Sequence, residues 1–303
     1  MNGLAALIRR NTKLYFRDKG MFFTSLITPL ILLVLYGTFL ANVFEDSFRS
    51  ALAEAGAAVS DKVLWGCVGG ELISSLLAVS CVTVAFCSNL LMVQDRASGA
   101  RKDLTIAPVK PGTLALGYYI STIVTTLIIS LAALLVCLLY LARVGWFLSV
   151  GDIAALVLDV TLLVLFGTAL SSCIIFPLST QGQASAVGTV VSAGYGFICG
   201  AYMPISSFSE GLQKVISFLP GTYGTSLLRN HALRGVFEEM RGLGFPDEVM
   251  EAVRDSVDCN IYFFGSRVNM GAMYMVISAA IAAAVIIYVA LNVLSAKGHG
   301  KKR

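Results

Sequence analysis

Residues 64–93 read LWGCVGGELISSLLAVSCVTVAFCSNLLMV, an apolar run whose single charged residue is Glu71. A transmembrane helix needs about 20 mostly apolar residues to cross a hydrocarbon core about 30 Å thick. This run exceeds that length and is followed at once by the charged segment 94–110, QDRASGARKDLTIAPVK. The change from apolar to charged residues predicts a membrane-spanning helix that ends in an aqueous loop.

Five further apolar runs have the length of a span, and they lie at 21–42, 113–141, 152–177, 183–203 and 270–295. The whole chain of 303 residues is 57% hydrophobic and only 13% charged, whereas soluble domains carry roughly 25% charged residues. We therefore predict an all-α integral membrane protein in which residues 21–303 form a domain of six transmembrane helices.

Residues 1–20 precede the first span and have the pattern of an amphipathic helix. Apolar side chains recur at helical spacing from Leu4 to Tyr15, and basic side chains take the other face. A helix of this kind lies in the membrane interface with its bases toward anionic head groups. We predict an interfacial helix here, and a floppy basic tail is the alternative.

Lysine and arginine are distributed unevenly between the two sides of the predicted membrane. With the N-terminus inside, the inner segments are 1–20, 94–112, 178–182 and 296–303, and the short outer loops are 43–63 and 142–151. The inner segments hold thirteen Lys and Arg, and the outer loops hold three. Because basic loops stay on the cytoplasmic side, we predict a multi-pass protein of the cell membrane with both termini in the cytoplasm.

The segment 204–269, between the fifth and sixth predicted spans, is the longest polar part of the chain. Glu210 to Phe218 has helical periodicity, and the charged residues of 229–258 have spacings that suit two short helices. The break Gly242-Leu243-Gly244-Phe245-Pro246 supports that division. We predict a small helical cap on the extracellular side.

Several classes of site are not indicated by any pattern in the sequence. There is no G-x-x-x-x-G-K-[ST] phosphate loop, so ATP hydrolysis is expected on another polypeptide. We find no Ser/His/Asp set and no Cys/His cluster, and six of the seven cysteines lie in apolar runs. We therefore predict a chain that is not an enzyme, with no metal, no cofactor of its own and no nucleic-acid partner.

Two groups of residues stand at the borders of predicted spans. The loop after the second span carries Gln94, Asp95, Arg96, Gly99, Leu104 and Pro108. The stretch after the fifth span carries Pro204, Leu219, Pro220, Tyr223 and Arg229. In this order, on six spans preceded by an amphipathic helix, they resemble the type-2 ABC exporter permeases, the half-size membrane subunits of drug, polysaccharide and lipid exporters. The resemblance covers nearly the full chain.

The resemblance implies a division of labour between chains. Two such subunits pair, as identical copies or as close relatives, and each docks on a separate ATPase subunit that binds ATP. The loop 94–112 would form a cytoplasmic coupling helix seated on that ATPase and braced by the N-terminal helix. Arg96, Arg101 and Lys102 could then pair with acidic groups of the ATPase, because charges at an interface rim contribute to specificity.

A stripe of small residues repeats every fourth position along the fifth span. It consists of Ala184, Gly188, Ser192, Gly196 and Gly200. Small residues in this spacing let helix backbones approach closely in lipid. The stripe predicts close packing either within one subunit or at the seam between two subunits, where a translocation path would run.

Glu71 and Asp159 are the acidic residues placed well inside predicted spans. Each lies about seven residues from the outer end of its span, a depth of roughly 10 Å at about 1.5 Å per residue. Ionisable residues in lipid are costly and point to function by default. We predict a role in substrate binding or gating, with simple contact to outer-leaflet water as the alternative.

The features together indicate a permease subunit of an ATP-driven exporter for an amphiphilic substrate of the drug, lipid or glycan class. The alternative is an ion-coupled secondary transporter, which would be expected to show an internal repeat and broken helices. The halves 21–141 and 152–295 do not resemble each other in loop length or motif. A non-transporting membrane scaffold or sensor would leave the resemblance of the loop 94–112 unexplained.

Overall fold

The computed structural model describes residues 3–54, 60–106 and 109–300, and most of them are helical. The helices are α1 (Gly3–Arg17), α2 (Lys19–Leu35), α3 (Ala41–Glu54), α4 (Asp61–Ala97), α5 (Ala100–Ile106), α6 (Pro111–Val144), α7 (Val150–Ile175), α8 (Gln181–Ile198), α9 (Glu210–Ile216), α10 (Pro220–Gly242), α11 (Asp247–Ser256) and α12 (Met270–Gly300). A π-helical segment, Tyr36–Leu40, joins α2 to α3, and a 3₁₀ turn, Ile205–Ser207, precedes α9.

Five helical stretches of the described chain are long and apolar enough to cross a membrane. They are Lys19–Ser50, Asp61–Ala97, Pro111–Val144, Val150–Ile175 and Met270–Ser295. These stretches coincide with the first four predicted spans and the sixth, so the prediction of a multi-pass helical membrane protein is confirmed. The fifth predicted span, 183–203, coincides with α8, which has 18 residues and is rich in glycine, glutamine and hydroxyl side chains. Its role as a span stays a prediction.

Helix α4 is the centre of the bundle. In the most apolar part of α4, 94% of the residues are buried inside the chain. In the corresponding part of α12, only 11% of the residues are buried. The glycines near the start of α4 permit this central position, because Gly66 faces Phe147 and Val236, and Gly70 faces Leu233. The helices α2, α6, α7, α8 and α10 all pack around it. Helix α12 packs on α7 and α10, and most of its apolar part is exposed on the outside of the bundle.

Helix α10 departs from the predicted cap. Pro220 stands at its first turn, where the missing N–H costs nothing. From there α10 runs to Gly242 as one helix, and most of it is buried against α4, α7 and α12. The small residue Gly224 faces Leu163 of α7 and Ile277 of α12, so the first turns of α10 lie inside the bundle. The start of α10 is therefore part of the bundle and not of a separate cap, and the extracellular location of the segment stays a prediction.

The part of the segment 204–269 that follows Gly242 agrees better with the prediction from the sequence. The break after Gly242 separates α10 from α11, as the glycine and proline pattern predicts. A two-stranded hairpin, β1 (Ile261–Phe263) and β2 (Ser266–Val268), then leads into α12. The sequence did not predict this hairpin, because strands of three residues are too short to show alternation.

Candidate functional site

Asp95, near the end of α4, ties three helices together. Its carboxylate accepts hydrogen bonds from Arg10 Nη1 at 2.7 Å and Nη2 at 3.0 Å, and from Tyr118 Oη at 2.6 Å. The forked contact matches the planar guanidinium to both carboxylate oxygens. The hydrogen bond that Arg10 donates to Asp95 raises the pKa of Arg10. Helix α1 is thereby held against α4 and α6, and we call these three residues the Asp95 clamp.

Arg96 lies next to the clamp but contacts α7. Its Nη1 donates to the carbonyl of Phe176 and, at 2.7 Å, to that of Leu178, and its guanidinium lies 5.1 Å from the ring centre of Phe176. A positive charge at a helix C-terminus interacts favourably with the carbonyl groups there. The sequence suggested that Arg96 pairs with an ATPase, but the structure engages it within the chain.

The short helix α5 is the part of the predicted coupling loop that the structure presents at the surface. Gly99 has a φ of +83° and closes the turn after α4, a conformation that favours glycine. Leu104 packs on the hydrophobic core, and Ile106 is 83% exposed at the end of α5. Lys102 is exposed.

The remaining members of that loop contribute less to its geometry. Gln94 is half-buried at the end of α4, and Arg101 is half-buried on α5. Pro108 lies outside the described residues. The structure therefore divides the predicted loop residues into an anchored group at the end of α4 and a group carried by α5.

A second polar cluster, around Arg229, lies at the other end of the bundle. Arg229 is 1% exposed, and its Nη2 lies 2.5 Å from Glu71 Oε1. Its Nη1 donates to Asp258 Oδ2 at 3.2 Å. Nη2 also donates to Ser75 Oγ at 3.1 Å and to the Gly200 carbonyl at 2.6 Å. The predicted acid Glu71 and the predicted outer residue Arg229 therefore form one ion pair.

Asp258 completes this cluster from the loop before the hairpin. Its Oδ2 accepts a hydrogen bond from the backbone N–H of Ile205 at 2.8 Å. Burial raises the pKa of the Asp258 carboxyl to about 6, and the Arg229 charge acts against that shift. Two carboxylates thus share one guanidinium in a buried site, which we call the Arg229 cluster.

Asp159 also pairs with α10, through His231, two residues after Arg229. Its Oδ2 lies 2.6 Å from His231 Nδ1, and its Oδ1 accepts a hydrogen bond from Tyr274 Oη at 2.6 Å. Asp152, at the start of α7, lies 2.7 Å from Arg234 Nε. Three basic residues of α10 are therefore each paired with acids from other elements, so the acids hold α10 inside the bundle.

The sequence reasoning missed four of these partners: His231, Arg234, Tyr274 and Asp258. A signal for two of them existed, because Arg229, His231 and Arg234 stand among apolar residues such as Leu227, Leu228 and Leu233, where unpaired charges would be costly. Charged residues considered without partners favour a surface location instead. Both intramembrane acids are fully buried, so contact with outer-leaflet water is not the explanation for them.

The other residues of the outer motif shape the entry into α10. Pro204 precedes the 3₁₀ turn, and Pro220 begins α10. The Tyr223 hydroxyl donates to the Ser217 carbonyl at 2.5 Å, which closes the link between α9 and α10. These positions therefore support the placement of Arg229.

The small-residue stripe does not form one continuous contact. Ala184 is buried, and Gly196 lies directly against the ring of Tyr202 in the same chain. Gly200 follows the end of α8 with a φ of +75°. A Cβ at Gly188 would meet nothing within 4 Å. Ser192 accepts a hydrogen bond at its carbonyl from Tyr202 Oη at 3.3 Å. The end of the stripe around Gly196 therefore packs within the subunit. The part around Gly188 has no other residue in contact at the position that a Cβ would take.

Among the described residues, no group of three or more His, Cys, Asp or Glu is placed to hold a metal ion. A comparison with models of protein families matches residues 2–232 to the membrane family described as ABC-2 type transporter. A comparison with curated proteins finds no match.

Proposed function

The chain belongs to the ABC-2 type transporter family, and on that premise we propose that it is the membrane subunit of an ATP-driven exporter for an amphiphilic substrate. Membership implies an ABC ATPase as partner and a permease role in the membrane. The sequence carries no phosphate loop of its own, which supports a separate ATPase. The substrate class and the direction of transport are parts of the proposal.

The observation that carries the proposal is the exposed surface of α5, the short helix that follows the end of α4. Ile106 projects an apolar side chain from α5 with 83% of its surface exposed, and the exposed Lys102 lies on the same short helix. An apolar residue bordered by charge is typical of the centre of a protein interface. We assign this face to the ATPase.

Helix α4 supports a route by which motion could cross the membrane. Its 37 residues run without interruption from Asp61 to Ala97, just past the Asp95 clamp. The clamp and Arg96 fix its α5 end to α1, α6 and α7, while Glu71 fixes its other end to α10. A displacement of α5 would therefore be transmitted to α10 through packed, hydrogen-bonded elements, as coupling over distance requires.

Helix α8 is proposed as the fifth span, which would bring the number of spans to six, and as part of the contact with a second copy or a close relative. Its open face carries Ser185, Ala186, Gly188 and Thr189, which are small or polar, beside one exposed apolar residue, Val190. Small and hydroxyl side chains pack helices together in lipid but give lipid little apolar surface. This pattern supports a subunit seam at α8 in preference to a lipid-facing helix.

The proposed docking face is tested by the triple substitution Arg101→Ala, Lys102→Ala and Ile106→Asp. We expect the folded permease to be retained, because none of these side chains is buried. Stimulation of the partner ATPase by the permease in reconstituted vesicles should fall at least tenfold, while the isolated ATPase keeps its basal rate. Asp103→Ala, at another exposed position of α5, is the matched control. Wild-type stimulation by the triple variant would rule out this face, and transport driven by an ion gradient without any ATPase would favour the secondary-transporter alternative.

The proposed orientation, with both termini in the cytoplasm, rests on the excess of Lys and Arg in the inner segments. In intact cells, a membrane-impermeant thiol reagent should modify a cysteine placed at Phe245 and spare one placed at Ser98. The native cysteines are replaced in both variants. Modification of Ser98→Cys from outside, with Phe245→Cys protected, would reverse the orientation and remove α5 from the cytoplasm.

A further inference from the structure

A polar cavity is lined by residues of α9, the end of α11 and the hairpin, and the function above does not use it. Its volume is about 570 Å³, which is in the range of small-molecule sites in proteins. Its wall carries three carboxylates, those of Glu210, Asp255 and Asp258, and one ammonium group, that of Lys214. The wall therefore has an excess of negative charge, and we call this space the Asp258 cavity.

Asp258 places a free hydrogen-bond acceptor in this wall. Its side chain is only 6% exposed. Its Oδ2 accepts hydrogen bonds from Arg229 and from the backbone N–H of Ile205, whereas its Oδ1 accepts none from any residue that the structure describes. A buried carboxylate oxygen without a donor is costly. A ligand in the cavity with an N–H or O–H group would remove that cost.

Asn260 supplies a second free acceptor, two residues further on. Its Nδ2 donates to Asp255 Oδ1 at 2.7 Å and to Glu251 Oε2 at 3.0 Å, and the residue is only 5% exposed. Because both partners are carboxylates, the donor end of the amide must face them, which leaves Oδ1 for another donor. That oxygen accepts no hydrogen bond within the described chain, and Asn260 also lines the cavity.

The Arg229 cluster adds to the negative charge beside the cavity. It holds two carboxylates, those of Glu71 and Asp258, against one guanidinium. One negative charge is thus left without a partner among the described residues, and buried charges are stable when they are paired. Asp258 belongs both to the cluster and to the cavity wall. A cation in the cavity would therefore balance the cluster.

We propose that the Asp258 cavity binds the protonated primary amine of an organic molecule that also carries an apolar group. A primary ammonium group has three N–H donors and no acceptor, which matches two free oxygens in a wall rich in carboxylates. The wall also contains Ile261, Tyr262 and Phe264, whose apolar surface suits the rest of such a ligand. Aromatic rings additionally attract organic cations.

Equilibrium dialysis of the purified full chain in a neutral detergent tests the proposal, with tritiated phenethylamine as the probe. We expect saturable binding at slightly alkaline pH, where the Asp258 carboxyl is ionised. Phenethyl alcohol has the same ring and chain with a hydroxyl group in place of the ammonium. It should compete roughly tenfold less well, because charge-assisted hydrogen bonds are about twice as strong as neutral ones. The anion hydrocinnamate should not compete.

Variants of the wall locate the binding in the cavity. Asp258→Asn removes the charge and keeps the shape of the side chain, and it should weaken phenethylamine binding roughly tenfold. Asp255→Asn should also weaken it, and because Asp255 is exposed, this arm does not depend on a change in the buried cluster. Glu248→Gln is the matched control, since it makes the same kind of change at an exposed position of α11 outside the wall.

Two sources of the amine are distinguished by adding glycerophosphoethanolamine. If it displaces the probe as well as unlabelled phenethylamine does, the site is supported and its ligand is the ethanolamine head group of a lipid. If it does not, the ligand is a free amine. Equal binding of phenethylamine and phenethyl alcohol, unchanged in Asp258→Asn and Asp255→Asn, would overturn the proposal. So would the absence of saturable binding, which would leave only water in the cavity. No ATPase takes part in these measurements, so their failure would leave the proposed function standing.

Discussion

Arg229→Ala is expected to lower the free energy of unfolding by about 3–5 kcal/mol, the usual cost of removing one partner from a buried ion pair. The substitution would leave Glu71 and Asp258 buried without a counter-charge, and it would free the Gly200 carbonyl and the Ser75 hydroxyl. Helix α10 would then lose its ion pair with α4. We expect a severe loss of folded protein in the membrane.

Unfolding can be followed in detergent micelles with a thiol-reactive dye, because the seven cysteines are free and all but Cys173 are buried. Arg241→Ala is the matched control at the exposed end of the same helix, and its effect should stay within about 0.5 kcal/mol. If Arg229→Ala unfolds at the same midpoint as wild type, the Arg229 cluster does not hold α10 in the bundle.

Neutral partners should recover part of the loss. Replacing a complete buried charge cluster with neutral groups is often tolerated, because the penalty comes from the charge left unpaired. We expect Arg229→Met combined with Glu71→Gln and Asp258→Asn to be more stable than Arg229→Met alone. If the triple variant is no more stable, the loss comes from the packing of Arg229 and not from its charge.

Asp95→Ala is expected to release α1 from the bundle. The change removes two hydrogen bonds from Arg10 and one from Tyr118. A hydrogen bond to a charged group contributes about 1.5–3 kcal/mol, and the partial exposure of Arg10 places the effect toward the lower end of that range. The rest of the fold should persist, because α1 packs chiefly on α6 and adds little to the contacts of α4 with its other neighbours.

The release can be measured by limited trypsin digestion of the purified permease. Cleavage at Arg9 and Arg10 should become at least several-fold faster in Asp95→Ala than in wild type, because local opening exposes the backbone of α1. Asp103→Ala, a carboxylate exposed on α5, should leave the rate unchanged. If α1 is equally protected in Asp95→Ala, its apolar face alone holds it to α6. Transport coupled to the ATPase should fall together with the protection.

The coupling loop and the buried acids show how far single residues could be assigned from the sequence. The position of the loop 94–112 at the end of a long helix was predictable, since an apolar run must end where charges begin. The hydrogen-bond partners of Arg96 were not predictable, because they are the carbonyls of Phe176 and Leu178, about 80 residues further along the chain. Charge type is visible in a sequence, but the atom that a charge contacts is not.

Five membrane-spanning helices and the amphipathic segment before them were determined by the sequence itself. Length and apolar content decide whether a segment can cross a bilayer, and both are properties of neighbouring residues. The fifth predicted span shows the limit of this rule, because the glycine and glutamine content of α8 leaves it outside the five apolar helices.

The tertiary structure alone decided that α10 enters the bundle. Its charged residues indicate a surface helix when they are read without partners, and in the fold Glu71, Asp159 and Asp152 supply those partners. Whether a charge can be buried depends on a counter-charge at hydrogen-bonding distance. That distance is set by the register and depth at which separate helices pack, which no local pattern of residues encodes.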